Sequence, residues 1–244
     1  MSNAFKWDAG TKSLTLAKMK QPLKIKWSRS FTGTPSSLSI SRNKAGHYFV
    51  SILVKEEVES LPFTSKTIGV DVGVSNLAVC SDGKVFNNPR ITKKYAKKLA
   101  KAQRQLAKKK KGSNNFKKKK RVIAKVHQKI ANARKDFTHK MTKTLINENQ
   151  VISVESLRVK NMVKNRKLAK HIHDANFGEI LRQLEYKAAW YGRKVSAISQ
   201  WFPSSKLCSC CGTMYEGKWS LAIRNWSCDC GASHDRDQNA AINI

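Results

Sequence analysis

The chain has 244 residues, enough for one large or two modest domains with their own cores, and no stretch approaches the roughly 18 consecutive apolar residues of a membrane span. Forty-eight Lys and Arg stand against 16 Asp and Glu, a formal charge of +32, while the apolar fraction of 40% is that of a folding protein. This balance excludes a disulfide-stapled miniature and a disordered tail, and it points to a polyanionic partner rather than a small-molecule substrate.

Five of the six cysteines fall between Cys208 and Cys230, a local cluster that favours metal in a reducing compartment over a spread disulfide framework. The N-terminal MSNAFKWDAG has no apolar leader core, so a soluble, cytoplasmic protein associated with the nucleoid is expected, with no membrane partner.

In chain order, SLTLAKM, LKIKW, SLSIS and HYFVSILV alternate or carry β-branched runs between Gly33, Pro35 and Gly46. They predict a partial β-barrel or sandwich, a wedge-like segment over residues 1–62 closed by the linker EEVESLP. TIGVDVG, SNLAVC and KVFNN then read as three short strands, the last two joined by the hairpin signal Asp82-Gly83. From Thr92 to Asn147 the period turns helical, with one stripe of Tyr95, Leu99, Ala102 and Leu106 and another of Val122, Val126, Ile130, Ala133, Phe137, Met141 and Leu145. The break at Gly112-Ser113-Asn114 divides them into an antiparallel pair, a hairpin over residues 90–148.

QVISVES reads as a buried strand, NFGEILRQLEYKAAWYG as an amphipathic helix, KVSAIS as a strand, and DRDQNAAINI as the start of a helix. The order β-β-β-α-β-α-β, then a cysteine module, then α, is that of an α/β RNase H-like fold with an insertion. The boundaries are 63–202 for the RNase H-like domain, 203–234 for the inserted module and 235–244 for the last helix.

Acids interrupt this pattern at three places. Asp71 closes TIGV, Glu155 closes VISV, and Asp237 opens the last helix, each where a strand ends or a helix starts. Cleavage of a phosphodiester by two divalent ions needs carboxylates that converge from separate elements, and in so basic a chain such a cluster is where Mg²⁺ would sit. Asp71 could instead cap a turn, and either Asp235 or Asp237 could be an N-cap. Glu155 resists a bland reading, because an acid ending a buried strand is costly unless it is paired or bound to metal.

Cys208 and Cys211 form a C-x-x-C pair, and Cys228 and Cys230 a C-x-C pair followed by Gly231. Four thiolates at this separation predict a structural zinc ribbon, with Cys210 as the spare and His234 as a substitute ligand. Cys80, alone on a strand, reads as a buried apolar residue.

Between Arg90 and Lys140 there are 21 Lys or Arg and a single acid, Asp136. A solvated helix face mixes signs, so phosphate binding is expected from Lys108, Lys109, Lys110, Lys111, Lys117, Lys118, Lys119, Lys120 and Arg121 at the hairpin tip. Lys160, Lys164 and Arg166, with His171 and His173 beyond them, form a second basic segment after Glu155, expected to line the groove to the metals. Trp190, Tyr191, Trp201 and Phe202 flank the last strand, with Trp190 and Tyr191 as base-stacking or core residues. Ser204 and Ser205 are phosphate contacts or turn residues.

IGVDVGVSNLAV, VISVESLRVKNM, FPSSKLCSCCG and WSCDCGASHDRDQNAAINI together resemble the signature blocks of the TnpB (OrfB-type) proteins of insertion sequences, relatives of the RuvC-bearing type V CRISPR effectors. The resemblance runs from Leu14 to Ile244 and implies an RNA-guided DNA endonuclease with guide RNA and target DNA as partners. It implies that Asp71, Glu155 and Asp237 are the RuvC acids holding Mg²⁺, with Arg236 and Asn239 in support, and that cleavage keeps the element in its host. Family chains begin with a further segment and continue beyond AINI, so an N-terminally truncated member is expected, with a non-cutting nucleic-acid binder as the alternative.

Overall fold

The computed structural model describes residues 4–220 and 222–244, which divide into two compact units between Val58 and Glu59. In the first unit, β1 (Phe5–Asp8) pairs antiparallel with β2 (Ser13–Leu16), and β3 (Pro35–Arg42) with β4 (Tyr48–Val54). The two hairpins are separate sheets. The strand expected over LKIKW does not form. Pro22 has no N–H to give to a ladder, and the segment is tethered one bond at a time, by Leu23 N to Leu14 O at 2.8 Å and Trp27 Nε1 to Lys12 O at 3.1 Å.

The second unit is built on one mixed five-stranded sheet. Its chain order is β5 (Thr67–Asp71), β6 (Asn76–Cys80), β7 (Val85–Asn87), α1 (Ile91–Ala107), α2 (Asn114–Glu148), β8 (Val151–Glu155), α3 (Val159–Met162), α4 (Arg166–Ala175), α5 (Phe177–Tyr191), β9 (Lys194–Ile198), β10 (Asn225–Ser227), β11 (Ser233–Asp235) and α6 (Arg236–Asn243). The sheet order is β7-β6-β5-β8-β9, with β5, β6 and β7 antiparallel and β5, β8 and β9 parallel. The expected meander turns at Gly83, whose φ of 85° suits glycine, and Asp82 Oδ1 accepts from Lys84 N at 3.0 Å.

The runs TIGV and VISV are apolar because β5 and β8 are central and covered on both faces. Ile68, Val70, Ile152 and Val154 meet Met141, Leu145 and Ile146 of α2 and Ile180 and Leu184 of α5 in one core, which also buries Cys80. Burial pushes the Cys80 thiol up to about 12, in keeping with an inert apolar residue. Between α2 and α5 the packing turns polar. Lys187 Nζ donates to Thr142 Oγ1 at 2.6 Å, His139 O at 3.1 Å and Gln183 Oε1 at 3.3 Å, and burial draws its pKa down to about 8.

Ile91, Tyr95 and Leu99 of α1 pack on Val126, Ile130 and Ala133 of α2, which makes the two helices an antiparallel pair. Ser113 caps α2 by accepting from Phe116 N at 3.2 Å, and Asp174 caps α1 from outside by accepting from Thr92 N at 3.0 Å. Val122 was expected on the same stripe, yet it is 42% exposed and lies outside the cluster formed by Val126, Ile130 and Ala133. The basic segment after Glu155 forms α3 and α4, two short helices, of which α4 turns Ile172 and Ala175 into the core and leaves Arg166, Lys167 and Lys170 exposed.

Helix α6 packs directly on β5 and β6. The approach is so close that a Cβ built on Gly69 would lie 2.0 Å from Ala241 O, an atom of the α6 backbone that no side-chain rotation can clear. Gly69→Ala therefore pushes α6 off the sheet, and overpacking of this kind costs roughly 1–3 kcal/mol or more. Thermal unfolding is expected to show a clearly lowered midpoint for Gly69→Ala, whereas Gly178→Ala, where nothing lies within 4 Å of the added Cβ, leaves it near the parent value.

Candidate metal centres

Strand register decides which acids meet. Val70 pairs with Val154 across the parallel β5–β8 ladder, so the next residues, Asp71 and Glu155, leave the same edge of the sheet side by side. Asp237 lies in the first turn of α6, the helix laid over β5. Burial, then the negative charges of Glu155 and Asp237, push Asp71 up to about 7 against the pull of Arg236 and Arg224. The three acids singled out in the sequence therefore form one electrostatic cluster.

Each carboxylate is positioned by a different device. Glu155 Oε1 accepts from Ser204 Oγ at 2.7 Å, and Ser204 is buried. Ser204 thus faces inward onto an acid and not outward to phosphate, the role considered for it from sequence. Asp237 is gripped by Arg236 Nη2 at 2.9 Å and by Arg224 Nη1 at 3.1 Å, and Arg224 also reaches Ser75 Oγ at 3.4 Å. Arg224 was missed in the sequence, since an arginine in a poorly patterned loop offers no spacing to read. Asp235, the competing acid, is the N-cap, accepting from Gln238 N at 2.9 Å. This leaves the Asp237 side chain free for the cluster.

Asn239, expected to support the acids, acts on the chain around them. Its Nδ2 donates to Leu207 O at 2.8 Å and Ser204 O at 3.2 Å, and its Oδ1 accepts from Ser209 N at 3.0 Å. One turn later Asn243 Nδ2 donates to the same two carbonyls at 2.7 and 2.8 Å. Helix α6 is thereby bolted to the root of the cysteine module.

Within that module, Cys208, Cys211, Cys228 and Cys230 bring their sulfurs within 4.8 Å of one another, a group that could hold a metal ion. The Cys208–Cys230 and Cys211–Cys228 separations are 3.8 and 3.5 Å. A tetrahedron of thiolates with metal–sulfur bonds of about 2.3 Å has edges of about 3.8 Å, so the four donors fit the group. The two turns carrying them differ by one residue, as the C-x-C spacing implies: Gly212 N reaches back to Cys208 O, whereas Gly231 N reaches Cys228 O. Cys208, Cys210 and His234 form a second possible group, with His234 Nε2 3.1 Å from Cys208 Sγ. The four-thiol set is the better site, because it closes the coordination sphere while His234 is occupied against Trp226 at 4.6 Å.

The basic residues expected to meet phosphate are carried by the tip of the α1–α2 pair. Lys108, Lys109, Lys110 and Lys111 are exposed between the helices, as are Lys117, Lys118, Lys120 and Arg121 on the first turns of α2, while Lys119 is half-buried and donates to Gln105 Oε1 at 2.9 Å. Lys160, Lys164 and Arg166 are exposed around α3 and α4. His171 lines a cavity of about 420 Å³ with Arg90, Lys93 and Lys170. Tyr191 packs against the core and Trp190 stands edge-on to Tyr186 at 4.7 Å, whereas Trp201 is 82% exposed.

Metal content separates the two cysteine groups. Cys208→Ser and Cys228→Ser are expected to lose the bound ion and loosen the module, while Cys210→Ser and His234→Gln keep one ion per chain by elemental analysis. Loss of metal in Cys210→Ser with retention in Cys228→Ser would reverse the assignment.

Residues 51–166 match the OrfB_IS605 family, described as "Probable transposase", and residues 177–244 match the family "Cas12f1-like, TNB domain". A "Putative RNA-guided DNA endonuclease" of Streptomyces pristinaespiralis is 47% identical over 244 residues, covering 99% of this chain and 60% of that protein. "Putative RNA-guided DNA endonuclease InsQ" of Escherichia coli (strain K12) is 34% identical over 234 residues, covering 89% and 58%. The "TnpB-like protein MJ0751" of Methanocaldococcus jannaschii is 30% identical over 171 residues, covering 66% and 57%. This chain thus spans no more than 60% of the length of these curated relatives. Its mixed α/β fold resembles a chain of the Cas12f1-sgRNA-target DNA complex solved by cryo-EM, with a TM-score of 0.58 and 17% identity over 84% of this chain and 44% of that one. By these matches, which bracket both the acid-bearing sheet and the cysteine module, the chain belongs to the TnpB (OrfB-type) family of insertion-sequence proteins.

Proposed function

We propose that this chain is an RNA-guided, metal-dependent DNA endonuclease whose RuvC site consists of Asp71, Glu155 and Asp237. The observation that carries the proposal is the acid cluster: two carboxylates at one edge of a parallel strand pair and a third on the covering helix, with Asp71 pushed up to about 7 by burial and then by the charges of the other two. A chain of net charge +32 gains nothing in stability by gathering acids that repel one another. Such a cluster is explained by the cation it attracts. The strand order β7-β6-β5-β8-β9, with a meander followed by two helical crossovers, supports the RNase H-like reading of the domain.

Asp71, Glu155 and Asp237 would hold Mg²⁺, which supplies activation of water and charge stabilisation at the leaving oxygen. Ser204 keeps Glu155 aimed at the cluster, and Arg236 keeps Asp237 in reach of it. Arg224 is the more exposed of the two partners, 47% at its side chain against 12% for Arg236, and its guanidinium would pass from Asp237 to a phosphate when a cation takes the carboxylate. Cys208, Cys211, Cys228 and Cys230 would hold Zn²⁺ as a structural ion, since four protein thiolates leave no open position. The lysines of the α1–α2 tip and of α3 and α4 track guide RNA and target DNA by their phosphates, with sequence read by base pairing. The setting is the prokaryotic cytoplasm at the nucleoid, where cutting retains the insertion sequence.

A second reading, a relative that binds nucleic acid without cutting, is favoured by the double guanidinium grip on Asp237. One experiment separates them. Purified protein, the RNA transcribed beside its gene, Mg²⁺ and a target plasmid are combined, and Asp71→Ala, Glu155→Ala and Asp237→Ala are compared with the parent. Cleavage is expected to fall by roughly 10³-fold or more in each variant with RNA binding unchanged. Cutting by Asp71→Ala at the parent's rate would refute the site, and RNA binding without cutting by the parent would establish the second reading.

A further inference from the structure

Of the six tryptophans, Trp7, Trp27, Trp190, Trp219 and Trp226 each pack on another aromatic ring. Trp201 has no such ring partner among the described residues, and it is 82% exposed. An indole carries a large apolar surface, and leaving it in water stabilises nothing in the fold. It lines two adjoining cavities, of about 490 and 330 Å³, and Glu155, Arg158 and Gln200 line both as well. The walls of the larger one are apolar at Leu157, Val195 and Ala197.

The turn that presents Trp201 is the turn that holds Glu155. Ser199 ties its start, with Oγ accepting from Trp201 N at 3.2 Å and O accepting from Phe202 N at 3.0 Å. Ser204 ties its end through the 2.7 Å bond to Glu155 Oε1. The backbone that carries the ring is therefore tied at both ends of the turn, at one of them to an acid of the cluster. Glu155, Glu185 and Arg158 line the larger cavity beside its apolar walls, a setting suited to a base whose N–H groups can donate to carboxylates. Arg158, exposed at the rim, is the cation placed for the backbone.

We propose that this groove seats one unstacked base of single-stranded DNA, with Trp201 as its stacking platform and Arg158 as the partner of the adjoining phosphate, so that the strand enters the acid cluster in a set register. The inference rests on the nuclease reading and adds the side chains that seat the strand, because a base within a duplex has no free face to offer. Trp201 is a positioning residue, acting on the strand and not on the reacting phosphorus.

The test uses the full chain carrying Asp71→Ala, so that DNA stays whole, and a thymidine oligonucleotide containing a single 2-aminopurine. Salt is set at about 0.3 M KCl, where lysine–phosphate contacts weaken. Binding is expected to quench the 2-aminopurine. Adding Trp201→Ala removes the quenching and weakens binding roughly tenfold or more, and Trp201→Phe restores most of both. Equal quenching and affinity with and without Trp201 would overturn the proposal. So would preference for the same oligonucleotide made of RNA. Cleavage by the chain with Asp71 intact is scored separately, so a failure of the nuclease reading leaves a different record from a failure of the base seat.

Discussion

Repulsion among three carboxylates at one end of a sheet is the constraint on which the second unit is organised. Asp71 and Glu155 are forced together by the in-register pairing of β5 and β8, and Asp237 is brought over them by a helix whose backbone lies against Gly69. Without a cation the chain answers this charge in two ways, by holding a proton on Asp71 up to about pH 7 and by turning Arg224 and Arg236 onto Asp237. Both answers are displaceable, one by deprotonation and the other by moving an exposed arginine. Exchange of this compensation for divalent metal is what the proposed function requires of the cluster.

The cysteine module belongs to the same arrangement. Asn239 and Asn243, one turn apart on α6, hold the carbonyls of Ser204 and Leu207, and Ser204 in turn holds Glu155. Cys208 follows directly on that clamped segment. Folding the module around a metal therefore sets the root from which Ser204 reaches Glu155 and the hairpin from which α6 departs. The cysteine cluster, which could hold a metal ion, and the acids drawn from three elements are joined through Asn239, Asn243 and Ser204.

How much of this was legible in the sequence follows from how the signals arise. The acids stood out because a carboxylate ending an apolar run such as TIGV or VISV breaks a strong pattern, and the cysteine pairs stood out because metal geometry restricts spacing. Asp235 and Asp237 were separable only by the helix start, where a single residue decides cap from cluster. What stayed hidden depended on contacts distant in sequence. Arg224 and Ser204 have ordinary local surroundings and acquire their roles from Asp237 and Glu155. Helix α4 buries Ile172 and Ala175, but within so basic a segment they were read as part of a charge run, and LKIKW alternates like a strand yet finds no ladder partner beyond Pro22. Among the aromatics flanking the last strand, Trp190 and Tyr191 were considered for stacking and the core absorbs Tyr191, while Trp201 gained its prominence from a turn.

The central claim is that these acids repel one another until a divalent cation joins them. It is tested by comparing the denaturant stability of the parent and Asp71→Asn from pH 5 to 8 in magnesium-free buffer and again with excess Mg²⁺. Because the folded-state pKa of Asp71 is raised, to about 7 from 3.8, its contribution is full at low pH and lost as pH rises through 7. The asparagine variant should therefore gain on the parent as pH climbs, and Mg²⁺ should reverse that order at pH 8. A stability difference indifferent to both pH and Mg²⁺ would contradict the account.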